Sequence, residues 1–246
     1  MKYPSSYFLV THGSRDPRPQ RAVKKLAALV LECLAKKYNQ TTLPLVDIGS
    51  LEFGPASLAE QLQDFAKITS ANNLSTIKVI PLFLLEGVHV TEDIPAEVEV
   101  AQKVLENKVK IEILPYLGGE PEVCKLLENQ QGYKRADSWI LLSHGSRRSS
   151  ANETVEKLAK NLGAFSAYWS VEPSLEKRVK ELVESGYKNI AILPYFLFSG
   201  GITDAIAQRV EQLALQIFPV NLVLLETLEA NQQMAKIIVN LILKHQ

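Results

Sequence analysis

The chain has 246 residues, of which 46% are hydrophobic and 22% charged, a composition that is typical of a folded globular protein and excludes a disordered one. Its 27 basic and 27 acidic residues cancel, so no overall positive field attracts nucleic acid or an anionic membrane, and we expect neither as a partner. The longest apolar runs, such as Val79–Leu85, are far shorter than the ~20 residues of a transmembrane helix, and residues 1–10 do not resemble a secretory signal, which favours a cytoplasmic protein.

Strand-like and helix-like stretches alternate along the chain. In the first half we predict strands at Tyr7–Thr11, Leu45–Ile48, Ile77–Leu85 and Val109–Leu114, and helices near Gln20–Lys37, Ser57–Ser70 and Ile94–Glu106. In the second half we predict strands at Ser138–Ser143, Ala164–Trp169, Asn189–Phe198 and Asn221–Leu225. Strands separated by helices favour parallel sheets with right-handed crossovers, and continuously apolar strands indicate sheets that are covered on both faces. The predicted fold class is therefore α/β.

Several motifs of the first half recur in the second half in the same order. An apolar run ending in His-Gly-Ser-Arg occurs at Tyr7–Arg15 and again at Trp139–Arg147. A Ser-Leu pair, a strand with an internal Pro, and a Gly after that strand are also repeated: Ser57 and Ser174, Pro81 and Pro194, Gly87 and Gly200. The repetition indicates an internal duplication. We predict two domains, residues 1–134 and residues 135–246.

Three residues of the first half are candidate metal ligands, because each follows one of the first three strands: His12, Glu52 and His89. In an open parallel sheet the carboxyl ends of the strands meet at one edge, where ligands bind. Two imidazoles and a carboxylate suit Fe²⁺, Co²⁺ or Ni²⁺ that is held and then released. Cys33 and Cys124 lie far apart outside any C-x-x-C pair, so neither a disulfide framework nor a thiolate site is expected.

Each of these residues also has an ordinary interpretation. His12 could be a surface residue beside the tight turn of Gly13 and Ser14, and Glu52 could be an acid at a helix start. We interpret Glu92 and Asp93, just before Ile94-Pro95, as N-terminal helix residues rather than ligands. The conjunction of two His and one Glu at successive strand ends favours the metal site.

The second half offers an internal comparison for this site. His144 is retained, whereas alignment on Ser174 puts Trp169 opposite Glu52, and alignment on Gly200 puts Ile202 opposite His89. We therefore predict that the second half has no metal site. It would instead supply substrate contacts, with Arg147 and Arg148 as candidates.

Three segments, Leu9–Pro17, Leu51–Leu58 and Pro81–Val98, resemble the sirohydrochlorin chelatase family of class II, ATP-independent tetrapyrrole chelatases. The most specific is the third, in which His89 follows Gly-Val and precedes Asp-Ile-Pro. The second half resembles the duplicated half of the family's long form, a sirohydrochlorin ferrochelatase or cobaltochelatase. The resemblance implies two flavodoxin-like lobes with a cleft between them.

The implied activity is that of a lyase that inserts a divalent metal into sirohydrochlorin in sirohaem or cobalamin biosynthesis. The metal would be a substrate, with no permanently bound cofactor. Fe²⁺ is favoured over Co²⁺, since the chain lacks the His-rich stretch of many cobalt-directed relatives. It also lacks a G-x-x-x-x-G-K-[ST] motif, so no use of ATP is implied. The alternatives are a non-catalytic metal or tetrapyrrole carrier and a chelatase of another tetrapyrrole. One chain supplies both lobes, so we expect a monomer to suffice.

The resemblance also implies residue roles: His12 and His89 as metal ligands and Glu52 as an acidic partner. We expect His12 and Glu52 to take part in proton transfer as the metal enters the macrocycle. Arg15 has two interpretations, a contact to carboxylates of the macrocycle and a local salt bridge. The implied substrate-contacting loop comprises Leu84, Leu85, Glu86, Gly87 and Val88.

Overall fold

A computed structural model describes residues 5–37, 44–106, 108–130, 136–146 and 149–245. The strands are β1 (Ser6–Thr11), β2 (Val46–Ser50), β3 (Thr76–Pro81), β4 (Lys110–Ile113), β5 (Ser138–Ser143), β6 (Phe165–Tyr168), β7 (Asn189–Pro194) and β8 (Asn221–Leu224). The helices are α1 (Pro17–Lys37), α2 (Leu58–Ala71), α3 (Ile94–Leu105), α4 (Pro121–Glu128), α5 (Ser149–Asn161), α6 (Leu175–Glu184), α7 (Gly201–Gln216) and α8 (Gln232–Lys244). A π-helical turn at His89–Asp93 precedes α3.

Two sheets of four parallel strands organise the molecule, in the orders β2-β1-β3-β4 and β6-β5-β7-β8. The prediction of an α/β fold with two lobes is confirmed. The chain forms two compact units: unit 1 is Met1–Glu120 with Ala230–Gln246, and unit 2 is Pro121–Glu229. The predicted boundary between residues 134 and 135 lies outside the described residues and stays a prediction.

The first sheet buries alternate residues of its strands against α2 and α3. Phe8 and Val10 of β1 and Ile77 and Val79 of β3 belong to one apolar cluster with residues of these two helices. Alternation along a strand directs these side chains to one face of the sheet. The sheet is thus a rigid base for the loops that leave its carboxyl edge.

The second sheet has an equivalent core. Ile140 and Leu142 of β5 and Ile190 and Ile192 of β7 pack in one cluster with residues of α6 and α7. The same strand order and the same core positions are what an internal duplication predicts.

Local sequence signals explain where α1 and α2 begin. The carboxylate of Asp16 accepts a hydrogen bond from the backbone N–H of Arg18 at 2.9 Å, and Pro17 is the first helical residue. An acceptor before the helix and a Pro at its first position are typical start signals, so α1 begins at Pro17 and not near Gln20 as predicted. Ser57 and Glu60 form a reciprocal capping box at the start of α2.

Two predicted boundaries differ from the structure. The strand expected at Ile77–Leu85 ends at Pro81, and the one expected at Asn189–Phe198 ends at Pro194. The residue after each proline still donates to the neighbouring strand, as Leu82 does to Val10 and Tyr195 to Leu142, and the apolar residues that follow lie in loops. Each half also has a fourth helix, α4 or α8, which follows the last strand of that half.

The last helix of each half belongs to the compact unit of the other half. Helix α8 follows the second sheet in sequence but lies in unit 1, where it packs on α1. An ion pair between Lys244 and the buried carboxylate of Glu120 also holds α8 in unit 1. Helix α4 follows the first sheet but lies in unit 2. Among the described residues, no helix is long and apolar enough to cross a bilayer.

Candidate metal centre at the carboxyl edge of the first sheet

His12 and Glu52 lie side by side because the hydrogen-bond ladder of β1 and β2 continues beyond the strand ends. The N–H of Leu51 donates to the carbonyl of Thr11 at 2.9 Å, and the N–H of Glu52 donates to the carbonyl of His12 at 2.8 Å. Gly13 follows with φ +95°, and a Cβ at this position would lie 1.8 Å from the Glu52 carbonyl oxygen. Only glycine permits this turn and this close approach.

His89 reaches the same edge from the third strand, through a loop and the π-helical turn. The loop is anchored at its start, where the N–H of Leu82 donates to Val10 at 2.7 Å and the N–H of Gly118 donates to Phe83 at 2.8 Å. In the turn, the N–H of Ile94 donates to the carbonyl of His89, five residues earlier. Such π turns occur frequently at functional sites.

These three residues form a compact donor set. The imidazole rings of His12 and His89 have centroids 4.8 Å apart at an interplanar angle of 74°. His12 Nε2 lies 3.7 Å from a carboxylate oxygen of Glu52. One ligand atom from each residue lies within 4.8 Å of those of the other two, and within the described part of the chain this is the one such group of His, Cys, Asp and Glu.

The donor set is accessible from solvent. The side chains of His12 and Glu52 are 45% and 47% exposed, and that of His89 is 36% exposed. A structural metal site is normally closed by four protein ligands. These three side chains are instead partly exposed, as in a site that is open to solvent on one side.

Hydrogen bonds at Nδ1 fix which nitrogen of each imidazole is free. His89 Nδ1 lies 2.7 Å from Asp93 Oδ2, and His12 Nδ1 lies 3.2 Å from the Gly13 carbonyl oxygen. Because carboxylate and carbonyl oxygens accept hydrogen bonds, Nδ1 carries the proton in both rings. In the neutral form of each ring this puts the lone pair on Nε2, a nitrogen at which imidazole binds metals. Asp93 was interpreted from the sequence as a helix residue only.

Two aromatic residues that the sequence analysis did not select flank the imidazoles. The ring of Phe53 is 54% exposed and lies 6.3 Å from the His12 ring, while Phe83 lies 5.9 Å from the His89 ring. Phe53 has φ 55°, a left-handed conformation that aromatic residues rarely adopt. The guanidinium of Arg15 lies over the Phe53 ring, 5.2 Å from its centroid. The structure therefore gives Arg15 a cation–π contact beside the donor set.

The loop of Leu84, Leu85, Glu86, Gly87 and Val88 precedes His89 directly. The Gly87 carbonyl accepts hydrogen bonds from Val90 and Thr91 at 3.0 and 3.1 Å, which ties the loop to the π-helical turn. Burial, and then the negative charge of Glu86, raise the pKa of the Tyr116 hydroxyl above its usual value. Tyr116, which follows β4 by three residues, is a further residue of this edge that could not be selected from the sequence.

Among the described residues, the corresponding edge of the second sheet has no such donor set. The N–H of Ser170 donates to the carbonyl of His144 at 2.9 Å, as Glu52 does to His12, so Ser170 and not Trp169 is opposite Glu52. The alignment on Ser174 was wrong by one residue, because the loop before Ser174 is one residue shorter than the loop before Ser57. Ile202 does occupy the position of His89. Arg147 and Arg148 lie outside the described residues.

Comparison with known proteins gives one family. The family model described as CbiX matches residues 6–132 and again residues 138–244. The two matches correspond to the two halves inferred from the repeated motifs.

Individual relatives extend over most of the chain. A sirohydrochlorin ferrochelatase of Priestia megaterium is 26% identical over 86% of this chain and 80% of its own length. A sirohydrochlorin cobaltochelatase of the same organism is 25% identical over 87% of this chain and 71% of its own length. The solved structure of SirB from Bacillus subtilis with Fe³⁺ matches with a TM-score of 0.75 and 21% identity, over 98% of this chain and 95% of that one.

Proposed function

Because the chain belongs to the CbiX family, we propose that it is a lyase that inserts a divalent metal ion into sirohydrochlorin without ATP. Relatives named as ferrochelatase and as cobaltochelatase match at nearly equal identity. We take Fe²⁺ as the first metal and Co²⁺ as the second. Imidazole and carboxylate donors follow the general affinity order of divalent ions, so metal availability would decide between them.

The observation that carries this proposal is the donor set of His12, Glu52 and His89. Two Nε2 lone pairs at the carboxyl edge of a rigid sheet bind one ion and leave its other coordination positions open. Bonds to neutral imidazoles exchange more readily than bonds to a full thiolate set, and the pyrrole nitrogens of the substrate would replace them. We assign His12 and His89 as the residues that hold the metal substrate.

Metal insertion releases two protons from the macrocycle, because M²⁺ replaces two N–H hydrogens. Glu52 is our candidate acceptor for one of these protons, since its exposed carboxylate lies 3.7 Å from His12 Nε2. His12 becomes a second acceptor once the ion has left its Nε2. These roles make His12 and Glu52 the residues that take part in the chemistry.

The rim of the donor set offers groups for the macrocycle itself. The apolar side chains of Leu84, Leu85 and Val88 lie in the loop that leads to His89, and we assign this loop with Glu86 and Gly87 to substrate contact. Arg15 supplies a positive charge next to an exposed aromatic ring, which suits a planar ligand with peripheral carboxylates.

An anaerobic assay of sirohydrochlorin by visible absorption tests the proposal. With Fe²⁺, Co²⁺ and Ni²⁺ in separate reactions, we expect a spectral change whose initial rate rises in proportion to protein concentration. The double variant His12→Ala/His89→Ala is the matched control and should return the rate to that without protein. No enzymatic change with any of the three metals, despite binding of the tetrapyrrole, would favour a carrier, and a faster reaction with protoporphyrin would indicate another substrate.

A further inference from the structure

The two halves of the chain differ by one residue in the segment that carries His89. Strand β7 lies 113 positions after β3 (Thr76 to Asn189), and Gly200 lies 113 positions after Gly87. The buried residues of α7, however, lie 112 positions after those of α3, as Ile94 and Ile206 show. The first half therefore has one extra residue between Gly87 and Ile94.

The extra residue lies in the π-helical turn His89–Asp93. The wider turn absorbs it, so that α3 keeps the same core register as α7, which begins as a regular helix at Gly201. In the second half Ile202 occupies the position of His89, and Ala205 precedes Ile206 as Asp93 precedes Ile94. Both members of the His89–Asp93 pair are thus absent from the half without the donor set.

The contact between Asp93 and His89 is short and directional. Asp93 Oδ2 lies 2.7 Å from His89 Nδ1, and Nδ1 is the ring nitrogen that faces away from a metal bound at Nε2. A carboxylate at this distance forms a charge-assisted hydrogen bond. The Asp93 side chain is 42% exposed, so no requirement of core packing explains its place.

We propose that Asp93 is a positioning residue for metal capture. Its carboxylate holds His89 in the tautomer with Nδ1 protonated and fixes the rotation of the ring, so that the Nε2 lone pair is directed toward His12 and Glu52. Carboxylate partners of this kind orient metal-binding imidazoles and make Nε2 a better donor. The consequence for metal insertion rests on the proposed function, whereas the consequence for the imidazole does not.

Two variants and one control separate this role from a helix-end effect. Asp93→Ala removes the acceptor, and Asp93→Asn keeps an acceptor oxygen without the charge. Glu92→Gln removes a charge from the adjacent residue of the same helix start and leaves the His89 contact in place. Thermal unfolding of the three variants establishes that each is folded before the readouts are compared.

The first readout is the tautomer of His89, observed by ¹⁵N NMR of histidine-labelled, metal-free protein. We expect Nδ1 to be protonated in the wild type, in Asp93→Asn and in Glu92→Gln, and a mixture of tautomers in Asp93→Ala. An unchanged tautomer in Asp93→Ala would overturn the proposal.

The second readout is the dissociation constant of Co²⁺, measured by titration without tetrapyrrole. We expect an increase of about 10–100-fold for Asp93→Ala, a smaller increase for Asp93→Asn and less than about twofold for Glu92→Gln. Equal losses in Glu92→Gln and Asp93→Ala would overturn the positioning role. If the wild type binds Co²⁺ as expected but inserts no metal, the proposed function fails and the role of Asp93 in metal capture stands.

Discussion

Gly13 holds the segments that carry His12 and Glu52 at a separation that no other residue allows. Its positive φ and its contact with the Glu52 carbonyl act together, since a Cβ would both strain the backbone and overlap the oxygen. A methyl group there would push the two donors apart. The spacing of His12 and Glu52 thus depends on the lack of a Cβ at Gly13.

Replacement of Gly13 by Ala should therefore affect both stability and metal insertion. Gly163→Ala is the matched control, because Gly163 has φ +64° but no atom within 4 Å of an added Cβ. We expect Gly163→Ala to cost about 1 kcal/mol through left-handed strain alone, with unchanged insertion. Gly13→Ala should cost more in urea unfolding and lower the insertion rate at least tenfold. Equal effects of the two substitutions would show that the contact with Glu52 is unimportant.

The histidines provide the second test at this scale. His12→Ala and His89→Ala each remove one of two imidazole donors, and we expect initial insertion rates at subsaturating metal to fall at least 10–100-fold. His144→Ala should leave the rate within about threefold of the wild type, because Ser170 and Ile202 stand where a carboxylate and a second imidazole would be needed. A loss in His144→Ala as large as the other two would place chemistry in the second half.

The grouping of His12, Glu52 and His89 could be predicted from the sequence because it depends only on strand order and on the edge where parallel strands end. The places of Asp93 and Phe53 in the site could not be predicted. Asp93 depends on a π-helical turn and Phe53 on a left-handed φ, and neither has a recognisable sequence pattern. The one-residue error at Trp169 has a similar cause: the motifs on either side fix the register of their own elements but not the length of the loop between them.

At the scale of elements, the apolar run Ile77–Leu85 shows that hydrophobicity alone does not predict where a strand ends. The residues after Pro81 are as apolar as those before it, yet β1 ends at Thr11 and β3 ends at Pro81. The run continues as the loop that leads to His89. Phe83 in this run packs against the core cluster of the first sheet, and in the proposed function the residues after it contact the macrocycle.

Shortening the π-helical turn to the length found in the second half tests its importance directly. Thr91 is exposed, and its deletion would leave five residues between Gly87 and Ile94, as between Gly200 and Ile206. We expect the variant to fold, because α7 shows that the shorter connection supports the same core register. Co²⁺ binding should weaken by at least tenfold, since His89 and Asp93 would no longer be paired as they are. If the deletion variant binds Co²⁺ as tightly as the wild type, the π-helical turn is not needed for metal binding.

At the scale of the whole molecule, the duplication was visible in the sequence but the exchange of terminal helices was not. Repeated motifs show which segments of the two halves are equivalent. The apolar pattern of α8 predicts that one face of this helix is buried. It does not predict against which sheet the helix packs. Seven of its side chains are buried, together worth on the order of 10 kcal/mol, which is comparable to the whole free energy of unfolding of a typical domain.

A fragment of residues 1–134 should consequently fail to fold, although it contains His12, Glu52 and His89. It lacks α8, and without that helix the part of α1 that packs on α8 would lose its cover. Near-ultraviolet circular dichroism should show no fixed tertiary packing, and Co²⁺ should bind weakly. Addition of the peptide of residues 230–246 should restore both signals.

The control peptide carries Ile238→Asp and Ile242→Asp at two fully buried positions and should restore neither signal. A fragment that folds and binds Co²⁺ without any peptide would show that α8 is dispensable for unit 1.

The exchange of helices also sets an order of events during synthesis. Unit 2 is one continuous segment, Pro121–Glu229, and all of it has been synthesised before the residues of α8 are added. Domains generally complete their folding in the order in which they are translated. Here the first sheet emerges first, yet it stays without its closing helix until translation has reached the last described residues. The surface of α1 that packs on α8 therefore stays uncovered while unit 2 is being made, which makes the first half the one that chaperones would be expected to hold.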